Sequence, residues 1–374
     1  MSYRYGASYL DPGLNTLVAP TPIYQPYLYS WGFNNQGQLG LGNITTYKSP
    51  KQVGSLSNWA KIFVGKYYSS FAIKTDGTLW SWGQNNNGQL GLSGTKYSSP
   101  TQVGSLSNWK NISGGQYFTF STKTDGTLWG WGYNNYGQLG LGNTTGYSSP
   151  KQIGALTNWL SVAAGYYHVS AIKTDGTLWA WGLNSSGQLG LGNITNYSSP
   201  KQVGSLTNWS SLGLGQNHTL AIKTNGTLWS WGNNQYGQLG LNNTTYYSSP
   251  KQIGSLTNWA LVSAGQRFTI AIKTDGTIWS WGAATYGATG QPASYSSPNQ
   301  LGALTNWLTI SCGQYSSGAI KTNGTLWMWG VNTQGQLGTG NSTTYSSPIQ
   351  IGALTTWYAI STGALNGNTL GLQY

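Results

Sequence analysis

The chain has 374 residues, beyond the ~250–300 at which a single hydrophobic core stops growing, so it divides into domains or repeats a unit that packs on its neighbours. Only 6% of residues are charged, yet 17 Lys+Arg stand against 5 acids for a net +12, which favours an acidic partner. Cys312 is the sole cysteine, which excludes an internal disulfide, and no run approaches the ~18 apolar residues of a membrane helix.

Residues 1–26 carry no period and read as an irregular arm outside the repeats. They lack the basic and apolar regions of a secretory signal. Their aromatic and basic residues Tyr3, Arg4, Tyr5, Tyr9 and Tyr24 offer anchors to other protein subunits of a larger assembly. Asn-x-Ser/Thr triplets begin at Asn43, Asn193, Asn225 and Asn323; the last two fall in tight turns, which disfavours a glycosylating secretory route.

From Tyr27 onward the chain repeats at intervals of about 50 residues. A Trp-Gly mark falls at Trp31, Trp82, Trp131, Trp181, Trp231, Trp281 and Trp329. A second tryptophan falls at Trp59, Trp109, Trp159, Trp209, Trp259, Trp307 and Trp357. In Thr177–Gly182 the two indoles, Trp179 and Trp181, sit two apart and project from one face of an extended strand. So broad an apolar load needs an equally broad neighbour, and the next copy supplies it.

One unit reads as a glycine-punctuated loop at 182–190 followed by four short strands. The first is introduced by Tyr197-Ser198-Ser199-Pro200, the second runs from Trp209 to Gly215, the third from His218 to Thr224 and the fourth from Thr227 to Trp231. Asn225-Gly226 is a hairpin turn, as are Asp76-Gly77, Asp125-Gly126, Asp175-Gly176, Asp275-Gly276 and Asn323-Gly324. Seven antiparallel units of four strands predict an all-β fold, a seven-bladed propeller over residues 27–374. The seventh hairpin is split between the chain ends: Leu370–Tyr374 stops where the other copies turn, and Tyr27–Gly32 supplies the strand that is missing. Pairing the N- and C-terminal strands closes the ring and removes the open sheet edges.

The run Trp231-Gly232-Asn233-Asn234-Gln235-Tyr236-Gly237-Gln238-Leu239-Gly240, followed by Pro-x-x-Val/Ile and Ala-Ile-Lys-Thr-Asp/Asn-Gly, resembles the regulator-of-chromosome-condensation repeat. Kelch and WD repeats have units of similar length, but the double glycine of one and the Trp-Asp ending of the other are missing. The resemblance implies a seven-bladed propeller closed by a shared blade. It leaves function open, because the family includes a nucleotide exchange factor, a bacterial enzyme inhibitor and a plant light sensor. The chain lacks the inserted loops and acids of the exchange factor's catalytic surface. With Arg4 and Arg267 as its two arginines, it also lacks the tryptophan–arginine cluster of the light sensor.

All five acids are aspartates: Asp11 in the arm, and Asp76, Asp125, Asp175 and Asp275 in hairpin turns. With no glutamate, paired carboxylates for acid–base work are not expected, and the chain reads as a non-enzyme. His168 and His218 occupy equivalent places in adjacent units, and two imidazoles without a third ligand make a poor metal site. Cys312 reads as a small buried residue. No cofactor is expected.

The copies differ most just after the glycine that ends each second strand. There they carry Lys66-Tyr67-Tyr68, Gln116-Tyr117-Phe118, Tyr166-Tyr167-His168, Gln216-Asn217-His218, Gln266-Arg267-Phe268, Gln314-Tyr315-Ser316 and Ala364-Leu365-Asn366. In a propeller these segments gather on one face around the channel, forming a candidate binding rim for a protein or a sugar. The sixth unit also departs from the pattern, with 283–292 in place of the Asn-rich loop.

Near-identical copies, absent glutamate, abundant Asn, Gly, Ser, Thr and Tyr and an arm outside the ring are similar to structural proteins of bacteriophage particles. The expected function is a non-enzymatic virion component, a decoration, tail or fibre protein presenting the ring to a host surface. The alternatives are a lectin-like propeller that binds a host-surface glycan and an inhibitor or scaffold that binds an acidic protein. Nucleic-acid binding through ring lysines such as Lys74, Lys173, Lys223 and Lys273 is a weaker fourth reading.

Overall fold

A computed structural model describes residues 26–363 and 367–374. The anchor residues Tyr3, Arg4, Tyr5, Tyr9 and Tyr24, and the segment 364–366, lie outside the described residues. The strands form seven sheets of four antiparallel strands, one per blade. Blades 1 to 6 cover residues 59–102, 109–152, 159–202, 209–252, 259–300 and 307–350; blade 7 joins the two ends of the chain.

Blade 3 shows why the repeat folds as it does. From the channel outward its strands are Trp159–Ala164, His168–Lys173, Leu178–Gly182 and Tyr197–Gln202. The proline-bearing strand Tyr197–Gln202 is the outermost, and it pairs backwards with Leu178–Gly182 (Trp179 opposite Gln202). The unit read as 197–231 is therefore out of phase with the blade. The long loop 183–196 turns the chain back onto the strand it has just left. Pro200 then sits on an exposed edge where its missing N–H leaves no ladder bond unmade.

Each hairpin turn is a small relay. The Asp175 carboxylate accepts from the Thr177 N–H (2.9 Å) and hydroxyl (2.6 Å), and the Thr177 oxygen accepts from the Trp179 indole N–H (2.9 Å). Gly176 takes φ +76°, as the tight turn requires. Asn225 and Asn323 make the same contacts with an amide oxygen.

The core is seven separate layers, one at each junction between blades. Trp31, Trp82, Trp131, Trp181, Trp231, Trp281 and Trp329 are fully buried there. Each such burial is worth about 4–6 kcal/mol of transfer free energy before entropy is charged against it. Six of these indoles also donate to a main-chain carbonyl of the preceding blade's Gly-Gln-Leu-Gly loop, as Trp231 does to Gln188 O at 3.0 Å. Because the acceptor is backbone, the divergent loop of blade 5 serves as well: Ala288 O takes the Trp329 N–H at 3.0 Å.

Blade 7 takes its inner strands, Trp357–Thr362 and Asn368–Gln373, from the C-terminus and its outer strands, Tyr27–Gly32 and Tyr47–Gln52, from the N-terminus. The seam is antiparallel and in register from Tyr27 opposite Gln373 to Gly32 opposite Asn368. The ring closes by pairing the chain ends, as the sequence predicts.

Candidate binding face

The loops between the first and second strands of blades 1 to 6 gather at one mouth of the channel. Main-chain bonds from blade to blade rim that mouth, including Lys66 N–H to Gly115 O (3.2 Å), Gln116 N–H to Tyr166 O (3.1 Å) and Gln314 N–H to Gly363 O (3.3 Å). Lys66 crosses the channel from blade 1 and donates its ammonium to Leu214 O of blade 4 at 3.0 Å, with the Tyr166 ring 6.0 Å away. It roofs a cavity of about 170 Å³ whose walls include Tyr166, Gln266, Cys312 and Gln314. Burial pulls the Lys66 ammonium down to about 8.

The structure divides the predicted rim. Phe118, His168, His218 and Phe268 are buried, because each begins a second strand and lays its ring over the glycine before it. They are core residues and leave the candidate surface. Tyr166, Gln266 and Gln314 are buried against the channel, with Gln314 donating to Gln266 at 3.1 Å. Lys66, Tyr67, Tyr68, Gln116, Tyr117, Tyr167, Gln216, Asn217, Arg267 and Tyr315 are half-buried at the mouth. Blade 1 has one extra residue here, so Ser69 and not Tyr68 stands in register with Phe118. Tyr68 is displaced to the surface with φ 43°, a left-handed conformation that costs a bulky residue about 1–3 kcal/mol.

These side chains form an arc confined to part of the ring. Phe33 of blade 7 lies 5.6 Å from Tyr68, Tyr68 lies 4.3 Å from Tyr67, and Tyr67 lies 4.7 Å from Tyr117 of blade 2. The arc continues through Tyr133 (6.1 Å) to Tyr167 of blade 3 (6.2 Å), with Tyr136 packed 5.2 Å from Tyr167. Burial and neighbouring phenols push Tyr117 and Tyr167 up to about 12, so both remain hydroxyl donors. Phe33, Tyr133 and Tyr136 escaped the sequence reading because they sit in the glycine-punctuated loop; their aromatic identity there was the available signal. Across the ring the face is sparser: Arg267 donates to Tyr236 at 2.9 Å, and Tyr286 packs 5.3 Å from Tyr315.

Tyr133 also borders a cleft of about 450 Å³ between blades 1 and 2, walled by Asn86, Asn87, Ser93, Thr95 and Asn135. Gly94 and Gly146 border it too, and Gly146 stands where other blades carry Thr46, Asn196 or Tyr246. No lysine, arginine or acid lines the cleft.

The positive charge sits elsewhere. Lys74, Lys123, Lys173, Lys223, Lys273 and Lys321 are buried at the turn end of their blades, each between two indoles. The ammonium lies 3.6–3.9 Å from the ring centroid of the outer tryptophan and 4.7–5.1 Å from that of the inner one. The lysines suggested for nucleic-acid contact are thus structural cations held by cation–π attraction.

His168 bonds Thr219 (3.0 Å) and His218 bonds Thr269 (3.4 Å), and burial lowers both imidazoles to about 3, where they stay neutral. Cys312 is half-buried, packing against the core layer between blades 5 and 6 and lining the channel, its thiol donating to Ser263 O at 3.6 Å and pushed up to about 12 by burial. Among the described residues no three His, Cys, Asp or Glu side chains cluster as metal ligands, and no helix is long and apolar enough to cross a membrane.

The profile of the regulator of chromosome condensation repeat matches residues 27–72, 76–121, 125–172, 175–222, 225–272, 275–320 and 323–365. Curated relatives match over short stretches. The human probable E3 ubiquitin-protein ligase HERC3 is 44% identical over 71 residues, 18% of this chain and 7% of that protein. The Arabidopsis thaliana ultraviolet-B receptor UVR8 is 34% identical over 70 residues, 18% of this chain and 16% of that one. The match thus spans well under a fifth of either relative. Among solved structures, human WBSCR16 superposes with a TM-score of 0.83 at 20% identity, covering 93% of this chain and 98% of that one. Saccharomyces cerevisiae Prp20p, described with its binding to Gsp1p and histones, superposes with a TM-score of 0.82 at 20% identity, covering 94% and 92%. At these identities the likeness is one of fold.

Proposed function

The chain belongs to the regulator of chromosome condensation repeat family, and from that premise we propose that it is a non-enzymatic interaction scaffold, a rigid ring that holds a partner against the channel-mouth face. One observation carries this reading: in a ring of near-identical blades, partly exposed aromatic side chains run together over four blades on one face. Aromatic anchors on a stiff support bind at low entropic cost. The solved relative Prp20p is itself described as a binder of proteins. An acidic partner is poorly served here, because Lys66 and Arg267 are both engaged within the ring and six further lysines lie between indoles.

In its narrower form the reading makes the chain a bacteriophage particle component, with residues 1–26 as the arm that joins it to other subunits. Its support is compositional: near-identical copies, no glutamate, and abundant Asn, Gly, Ser, Thr and Tyr. The scaffold reading is tested by immobilising the full chain and identifying what it retains in stoichiometric amount. Retention lost in Tyr136→Ala is the expected result, and retention indifferent to that change would overturn it. Mass spectrometry of purified particles tests the virion role, and a chain beginning at Pro26 that still incorporates would remove the arm's role as an anchor.

A further inference from the structure

Resting on the reading of the channel-mouth face as the working surface, we propose that its occupant is a neutral polysaccharide chain lying along the aromatic arc, with one sugar unit seated in the amide-walled cleft between blades 1 and 2. The two features are physically joined. Tyr133 is a member of the arc, 6.1 Å from Tyr117, and also a wall of the cleft.

The chemistry of the surface selects the ligand class. A pyranose ring has an apolar face of C–H groups and an equator of hydroxyls. Tyrosine rings present a negative face that attracts polarised C–H groups, and their tips remain hydroxyl donors. Each sugar hydroxyl both donates and accepts, and an asparagine amide offers both functions from one side chain. Asn86 is exposed and Asn87 half-exposed at the lip of the cleft, beside the hydroxyls of Ser93 and Thr95. With no charged side chain in its lining, the cleft does not suit sulfated or sialylated sugars, which call for Lys or Arg.

Shape points the same way. Consecutive rings lie 4.3–6.3 Å apart from blade 7 to blade 3, a continuous track that fits several linked units better than a single sugar. The cleft exists where blades 1 and 2 depart from the repeat, at Gly94 and Gly146, which lack the side chains other copies place there. Tyr68, held at φ 43°, joins the track through the one extra residue of blade 1. Three independent local departures thus converge on one stretch of one face. A proline-rich peptide could also use a tyrosine track, but its carbonyls only accept and would leave half of each amide's capacity unused.

The test is binding of the full chain to an array carrying neutral oligosaccharides of four or more units, sialylated and sulfated glycans, and proline-rich peptides. Retention of neutral oligosaccharides is expected, weakened about tenfold in Tyr136→Ala and in Asn86→Ala. Tyr286→Ala, on the far side of the face, should bind as the parent does, and all three variants should melt with the parent, since each side chain is at the surface. Silence of the neutral glycans, retention of charged glycans or peptides alone, or neutral binding indifferent to both Tyr136→Ala and Asn86→Ala would each overturn the proposal. If the glycans stay silent while a macromolecule is still captured in a Tyr136-dependent way, the scaffold reading survives and the carbohydrate inference does not.

Discussion

His168 and His218 stand where blades 2 and 5 carry Phe118 and Phe268, and the structure treats all four as aromatic fillers laid over a glycine. Their folded-state pKa of about 3 against an unfolded 6.5 has a definite sign. As pH falls below 6.5 the unfolded chain takes up protons the folded one refuses, so stability drops progressively until about pH 3, by at most about 4–5 kcal/mol per histidine. The double variant His168→Phe/His218→Phe should fold and flatten this acid limb in denaturant titrations between pH 7 and pH 4; an unchanged limb would refute the assignment. Lys66 acts at the other end of the scale. Its ammonium is held at about 8, so between pH 8 and 10.5 the unfolded chain binds more protons and the fold gains stability with rising pH, by at most about 3 kcal/mol. Lys66→Met should lose that gain when compared with the parent across the same window.

At the scale of the element, the Gly-Gln-Leu-Gly loop is a receptor for the next blade's indole. Gly190 adopts φ +73°, and a Cβ there would come within 2.7 Å of the Trp231 indole nitrogen. Gly190→Ala should therefore cost about 2–4 kcal/mol, read as a lowered denaturation midpoint, because the backbone conformation and the indole's seat are both disturbed. Lys223→Met, which empties the space between Trp209 and Trp229, should cost about 1–2 kcal/mol by the same measurement. The indole spacing, the Asp-Gly and Asn-Gly turns and the split hairpin were all legible in the sequence, since each repeats and each has one local physical cause. The partner of the Tyr197–Gln202 strand was not, because pairing across the 183–196 loop is decided by tertiary packing and leaves no periodic trace. Lys223 misled for a related reason. A lysine beside a turn reads as solvated charge until the fold brings two indoles around it. The rim was half legible: variation among copies located the face, but one residue separates surface Tyr167 from buried His168, and strand register decides which is which.

For the whole molecule, the seam between Tyr27–Gly32 and Asn368–Gln373 converts an open row of sheets into a ring. Removing 368–374 would bare the edges of Tyr27–Gly32 and Trp357–Thr362 together with the core around Leu28, and unpaired edges recruit other chains. The shortened protein should aggregate, visible as light scattering under conditions where the full chain stays monodisperse. Main-chain pairing and packing hold the seam, and its two strands begin and end side by side, Tyr27 opposite Gln373. The place where the polypeptide starts is therefore a matter of bookkeeping for the fold. A permuted gene that joins Tyr374 to Tyr27 through a short linker and opens at Asn225-Gly226 should encode the same circle with its termini relocated to another sector.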